Sequence, residues 1–157
     1  MIELEELAAE IRRLADIESI KQLKASYVRL ADAQDWDAWG DLLTEDIHLH
    51  TDGGPIDGRA AVVKAISGSL KGAKTMHRLH TPEIALTGEN TATAAWPMSD
   101  YVIGNFGGRD MTIRGYGYYH EEYLRTADGW RLKRSQLVRQ HVDTSVYEVA
   151  VPEPSIL

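Results

Sequence analysis

Apolar side chains recur at steps of three and four positions through the first thirty residues. This spacing puts them on one side of an α-helix and predicts one or two amphipathic helices, so we expect a long helical arm to open the chain. The apolar positions are Leu4, Leu7, Ile11, Leu14, Ile17, Ile20, Leu23, Tyr27 and Leu30.

Two short helices and a strand are predicted next. Asp35 can cap a helix over 37–43, and residues 46–51 form a strand that ends at the turn sequence 52–55. Gly58 precedes a second helix, whose apolar face is formed by Ala61, Val62, Ala65, Ile66 and Leu70.

The pattern changes to β-strands from Met76 onward, and turn sequences separate four segments. The segments are 77–87, 91–104, 110–126 and 130–142. Helices followed by a long antiparallel meander predict one α+β domain, in which a strongly curved sheet wraps around the helices as a cone-shaped barrel with a pocket inside. The domain spans 1–157, with a core of about 16–142 and an extended C-terminal arm, 143–157.

Composition narrows the possible partners. A 157-residue chain with 43% hydrophobic residues can bury one core without metals or disulfides. A net charge of −7 with no basic run argues against nucleic acid or a membrane as partner, and the lack of cysteine excludes a thiol nucleophile. The acidic residues 1–6 do not resemble a signal peptide, so we expect a cytoplasmic protein.

His77, Asp32 and Tyr27 are the candidate proton-transfer residues. A histidine oriented by a carboxylate transfers protons near neutral pH. Each also has a structural interpretation, since aspartate often caps a helix end and an aromatic residue on an apolar stripe is usually core. Tyr27 and Asp32 are five positions apart, so their side chains point about 140° apart around an ideal helix. They converge only if the helix ends or loosens near Ala31.

Six histidines raise the alternative of a metal site. His48 and His50 share a strand face, and His77 and His80 are three positions apart. The two pairs lie in separate elements without a His-Glu-x-x-His motif, so we expect no metal.

Four tyrosines divide between the two faces of one predicted strand. Tyr116 and Tyr118 share one face, and Tyr119 and Tyr123 share the other. One face lines the pocket while the other packs against a neighbouring subunit of a dimer or trimer, and the pattern leaves open which face does which.

Four motifs resemble the SnoaL-like branch of the nuclear-transport-factor-2-like superfamily, over about residues 16–142. They are Ile17-Glu18-Ser19-Ile20-Lys21-Gln22-Leu23-Lys24, His80-Thr81-Pro82-Glu83-Ile84, Glu89-Asn90-Thr91-Ala92-Thr93 with Trp96, and Asp128-Gly129-Trp130. The branch includes scytalone dehydratases and polyketide cyclases, and the resemblance is greatest to the bile acid 7α-dehydratases. Two further pocket tyrosines of that group have no counterpart here. One falls at Thr51, and the other falls in the segment 105–110, which contains no tyrosine.

The resemblance implies a lyase that needs no cofactor and removes water from a hydroxylated steroid- or polyketide-like ketone. His77 would be the base, Asp32 its orienting partner and Tyr27 a donor to the substrate oxygen. The other candidate substrate contacts are Asp100, Arg139, Trp96 and Tyr116. An isomerase or cyclase, a non-catalytic binding or association module, and a purely structural Asp100–Arg139 ion pair remain alternatives.

Overall fold

The structure is a computed structural model that describes residue 1 and residues 3–146. The α+β class predicted from the sequence is confirmed. The elements within the described residues are α1 (Leu4–Ala33), α2 (Trp36–Gly40), β1 (Leu43–Thr51), β2 (Gly54–Asp57), α3 (Arg59–Ser69), β3 (Lys74–Leu79), β4 (Glu83–Leu86), β5 (Thr91–Phe106), β6 (Arg109–Thr126) and β7 (Gly129–Val146).

A single helix, α1, accounts for the first apolar pattern. Its C-terminal half buries Ile20 and Tyr27 in the core, whereas the apolar residues of its first three turns, from Leu4 to Leu14, are exposed. Asp16 ties the middle of the helix to the sheet by accepting hydrogen bonds from Arg125 Nη2 and Trp130 Nε1, at 2.6 and 3.1 Å.

The seven strands form one curved sheet in the order β2-β1-β7-β6-β5-β3, and β4 pairs with β5 beside β3. The neighbouring strands are antiparallel except for β1 and β7, which run parallel. The sheet does not close, so the predicted barrel is an open, curved sheet with the helices packed against it.

Several predicted boundaries differ from the structure. The helix predicted over 37–43 is α2, Trp36–Gly40, and the strand predicted over 46–51 begins at Leu43. The segment 77–87 is divided into β3 and β4 around Pro82, which has no backbone N–H for a ladder bond. The predicted turn 52–55 contributes to β2, and β7 continues to Val146, so the first residues of the predicted arm belong to a strand. The remainder of the arm, 147–157, lies outside the described residues.

The core lies between the helices and the inner face of the sheet. On β6 the inward residues are Tyr119, Glu121 and Tyr123, while Tyr116 and Tyr118 point outward. The alternation predicted for the four tyrosines is therefore present, and the inner face carries the 119/123 pair. Within the described residues, no helix has both the length and the apolar character needed to cross a bilayer.

Candidate active site

A cavity of about 220 Å³ opens between the C-terminal part of α1, α3 and the inner face of the sheet. Aromatic and aliphatic side chains form most of its wall, among them Tyr27, Trp39 and Tyr119. The polar residues of the lining are His50, Thr51, Asp52, Ser69, His77, Ser135 and Arg139. The cavity thus combines an apolar wall with polar side chains that can orient a small molecule.

His77 and Asp32 form a hydrogen-bonded pair at this cavity. The distance from His77 Nδ1 to Asp32 Oδ1 is 2.6 Å. The same carboxylate accepts the backbone N–H of His77, at 3.0 Å to Oδ2, and the hydroxyl of Thr75, at 2.8 Å to Oδ1. Thr75 and His77 share one face of β3 because they are two positions apart, so one carboxylate holds both. Thr75 was not identified from the sequence.

The electrostatics of Asp32 favour its ionised form. Desolvation alone would raise the pKa of Asp32, but the hydrogen bonds from His77 and Thr75 outweigh it and lower that pKa below its ordinary value. An ionised carboxylate can only accept, so Nδ1 of His77 carries the hydrogen and Nε2 is the basic nitrogen. No hydrogen bond joins Nε2 to another residue of the described chain, and His77 faces the cavity.

Tyr27 and Asp32 reach the site from different sides of α1. The helix continues to Ala33 and ends at Gln34, whose φ of 56° is left-handed. The helix therefore does not loosen at Ala31, as direct convergence would require. Tyr27 lines the cavity itself, whereas Asp32 lies behind His77 and acts on the cavity only through the imidazole.

Arg139 and Asp100 form a bidentate ion pair beside the same cavity. Nη1 and Nη2 of Arg139 donate to the two carboxylate oxygens at 3.0 and 2.7 Å. Arg139 lines the cavity and Asp100 is buried behind it. Gly115 provides the space, because a Cβ atom there would overlap the guanidinium and the carboxylate.

Two polar strand positions of the site lie side by side across the sheet, whereas Arg139 is opposite Gly117. In the strand register, His77 is opposite Asp100, and Asp100 is opposite Gly115. Asp100 also continues the inward, buried positions of β5. The sequence alone shows that Asp100 is a carboxylate at a position where the alternation of β5 predicts a buried side chain.

A second buried ion pair lies under the cavity floor. Lys24 Nζ is 2.6 Å from Glu121 Oε1, and both side chains are almost completely buried. Glu121 also accepts hydrogen bonds from Ser135 and from the Tyr123 hydroxyl. Sequence reasoning missed this pair, although Lys24 falls among the apolar positions of α1 and Glu121 falls between two inward tyrosines.

Two proposed substrate contacts lie outside the cavity. Trp96 is buried in the core and donates through Nε1 to the Tyr123 hydroxyl, at 3.0 Å. Tyr116 is 47% exposed on the opposite face of the sheet. The structure therefore does not bring these two residues to the other candidates, and Tyr119 occupies the wall instead. Thr51 lies at the cavity as well.

The candidate histidine ligands are divided between the cavity and the β1–β2 pair. His48 pairs with Asp57 across β1 and β2, at 2.6 Å, while His50 and His77 both line the cavity. In residues 1 and 3–146, no three side chains of histidine, aspartate or glutamate come together as a metal-binding group.

Comparison with solved structures gives several proteins of the same fold. A hexachlorocyclohexane dehydrochlorinase, LinA type 2, superimposes with a TM-score of 0.81 at 15% identity, over 94% of this chain and 99% of that one. A candidate scytalone dehydratase from Novosphingobium aromaticivorans gives 0.74 at 20% identity, over 91% and 95%. An NTF2-like protein of cystatin-like fold, from the same species, gives 0.66 at 30% identity, over 89% and 92%.

The family model for the SnoaL-like domain matches residues 12–136. That match covers all three helices apart from the start of α1, and every strand apart from the end of β7. The residues that line the cavity on α1, β3 and β6 fall within it. The chain belongs to the SnoaL-like domain family.

Proposed function

We propose that this chain is a hydro-lyase that removes water from a hydroxylated cyclic ketone, with His77 as general base. The observation that carries the proposal is the basic Nε2 of His77 in an aromatic-lined cavity, with Nδ1 held by the ionised Asp32. A base of this kind works near neutral pH and requires no cofactor.

The reaction balances without an external reagent. Nε2 of His77 takes a proton from the carbon next to the ketone, and the electron pair of that C–H bond passes to the carbonyl oxygen as an enolate. The enolate then expels the hydroxyl from the β carbon, and the proton held by His77 leaves with it as water. Asp32 stabilises the imidazolium between these steps.

Tyr27 and Arg139 provide the donors. Burial raises the pKa of Tyr27 well above its usual value, and Tyr119 and Glu121 add to the rise, so its phenol stays protonated and can donate to the enolate oxygen. Arg139 uses two N–H groups on Asp100 and retains others that can orient a substrate.

Sequence and structural likeness support an elimination. The sequence resemblance to the bile acid 7α-dehydratases assigns pocket positions to Tyr27, Asp32, His77, Asp100 and Arg139. The fold is shared with a candidate scytalone dehydratase and a dehydrochlorinase. We extend the proposal to steroid- or polyketide-like ketones. The cavity is smaller than the roughly 300–1,000 Å³ of pockets that enclose drug-sized ligands. One or two rings would therefore lie inside and the others outside the rim.

The test is a series of β-hydroxy ketones with one, two and four fused rings, followed by the absorbance of the conjugated enone. We expect enone formation by the wild type and a large loss in Asp32→Asn. Isomerisation or ring closure without water loss would favour the isomerase or cyclase alternative. Binding without any turnover would favour a carrier.

We also infer self-association. Apolar side chains remain uncovered on the outer face of β6 and β7, where Val138 is opposite Tyr118 and the two residues are 43% and 36% exposed. Adjacent exposed apolar residues of this kind mark protein interfaces. A smaller sedimenting species for Val138→Lys than for the wild type would support a dimer or trimer through this face, and a monomeric wild type would exclude it.

A further inference from the structure

The hydroxyl groups of Tyr27 and Tyr119 have no hydrogen-bond partner in the described part of the chain, although both residues are more than nine-tenths buried. Neither hydroxyl oxygen is completely enclosed by protein atoms, so a molecule in the cavity can reach it. Both side chains line the cavity. A buried phenol normally finds a partner, so these two groups point to an oxygen-bearing ligand in the cavity.

The two rings are held as a unit. Their centroids are 6.4 Å apart in an edge-on arrangement. The Lys24 ammonium lies against both ring faces, 3.9 Å from the Tyr27 centroid and 3.7 Å from the Tyr119 centroid. Because Glu121 fixes Lys24 at 2.6 Å, neither ring can move without disturbing a buried ion pair.

Tyr119 also lies within electrostatic reach of the two charged pairs of the site. Burial raises the pKa of Tyr119, and the charges of Glu121, Asp100 and Asp32 add to the rise while Arg139 opposes it. The phenol therefore remains a neutral donor through the physiological pH range, in the same space as His77 and Arg139.

We propose that Tyr119 is a second catalytic phenol, which donates together with Tyr27 to the oxygen that becomes negative when His77 removes the proton. This inference rests on the proposed function, and it adds a residue that neither the sequence pattern nor the family resemblance assigns to catalysis. Two fixed donors stabilise a localised oxyanion more than a neutral carbonyl, so their effect is greatest on the charged state. Lys24 is a positioning residue that holds both rings.

The experiment uses 2-naphthol as the probe, because its ionised form is a bicyclic oxyanion whose absorbance differs from that of the neutral form. Binding is titrated against pH for the wild type, Tyr119→Phe, Tyr27→Phe and the control Tyr118→Phe, which changes the adjacent tyrosine on the outer face. Thermal unfolding of each variant verifies the fold, since a phenylalanine at either inner position retains the ring that contacts Lys24.

We expect the wild type to bind naphtholate in preference to neutral naphthol. Tyr119→Phe should weaken naphtholate binding about 10- to 100-fold, as for one hydrogen bond to a charged group, with a much smaller change for neutral naphthol. Tyr27→Phe should behave similarly and Tyr118→Phe like the wild type. A wild type without this preference, or a Tyr119→Phe variant that keeps it, would overturn the proposal.

The outcomes separate this inference from the dehydratase itself. If Tyr119→Phe still binds naphtholate and proton exchange on ketones depends on His77, Tyr119 has no role in catalysis and His77 remains the general base. If Tyr119→Phe and Tyr27→Phe lose naphtholate binding selectively but the wild type exchanges no protons on ketones, the two-phenol oxygen site is supported and the dehydratase proposal is wrong.

Discussion

Asp32 Oδ1 lies 2.6 Å from Nδ1 of His77, and the carboxylate also accepts the backbone N–H of the same residue. One side chain on α1 thereby fixes both the position of β3 and the orientation of the imidazole. The same contact holds the fold together and directs the basic nitrogen toward the cavity.

Asp32→Asn should lower turnover about 10²- to 10⁴-fold, because an amide can donate to Nδ1 and so place the hydrogen on the wrong nitrogen. Initial rates of enone formation measure the loss. The control is Asp35→Asn, since Asp35 caps α2 through the Ala38 N–H and asparagine caps equally well. Equal rates for Asp32→Asn and the wild type would remove Asp32 from the mechanism.

The contribution of Asp32 to stability should depend on pH in one direction. Its pKa is lowered in the folded chain, so the contribution is present above the unfolded value of about 3.9 and is lost as pH falls through the folded pKa. Urea unfolding of the wild type and Asp32→Asn should show the wild type more stable at pH 7, with the difference shrinking below about pH 4. A difference that grows below about pH 4 would contradict this assignment.

Gly115→Ala should separate Arg139 from Asp100, since the added methyl would overlap both groups. We expect a loss of about 1–3 kcal/mol in the free energy of unfolding and a lower rate of enone formation. The matched control is Gly68→Ala in α3, where an added Cβ meets nothing within 4 Å. That variant should be as stable as the wild type or more so. Unchanged stability of Gly115→Ala would contradict the described packing.

Lys24→Met should cost about 3–5 kcal/mol in the free energy of unfolding, because it leaves the Glu121 carboxylate buried without its cation. Adding Glu121→Gln should recover part of that loss, since a neutral amide is easier to bury than a carboxylate. Urea unfolding of both single variants and the double variant measures the coupling. Lys133→Met is the control, as its pair with Asp46 is exposed and should be worth less than about 1 kcal/mol. Strictly additive losses at Lys24 and Glu121 would argue against the pair.

The sequence predicted the elements of this fold better than their boundaries. Periodicity located α1 and the three long strands, because each has a regular buried face. The local pattern could not show that residues 54–57 pair with β1, nor that β1 pairs in parallel with β7, since both are long-range pairings.

The candidate site was predicted in part for a similar reason. The resemblance named Asp32 and His77, which are 45 positions apart and meet only in the folded chain. It did not name Thr75, Gly115 or Tyr119, whose places depend on the strand register. Tyr116 was named as a substrate contact although the alternation left open which tyrosine face lines the pocket, and only the fold shows that the 119/123 face is the inner one.

The most direct test of His77 as the base is hydrogen–deuterium exchange on a ketone that lacks the β-hydroxyl. Such a ketone can lose its proton but cannot eliminate water, so exchange in deuterated water isolates the first step. NMR follows the signal of the acidified carbon with the wild type, His77→Gln and the control His80→Gln, whose imidazole is exposed. We predict rapid exchange with the wild type and His80→Gln, and exchange about 10²- to 10⁴-fold slower with His77→Gln. Exchange that proceeds equally fast with His77→Gln would contradict the account.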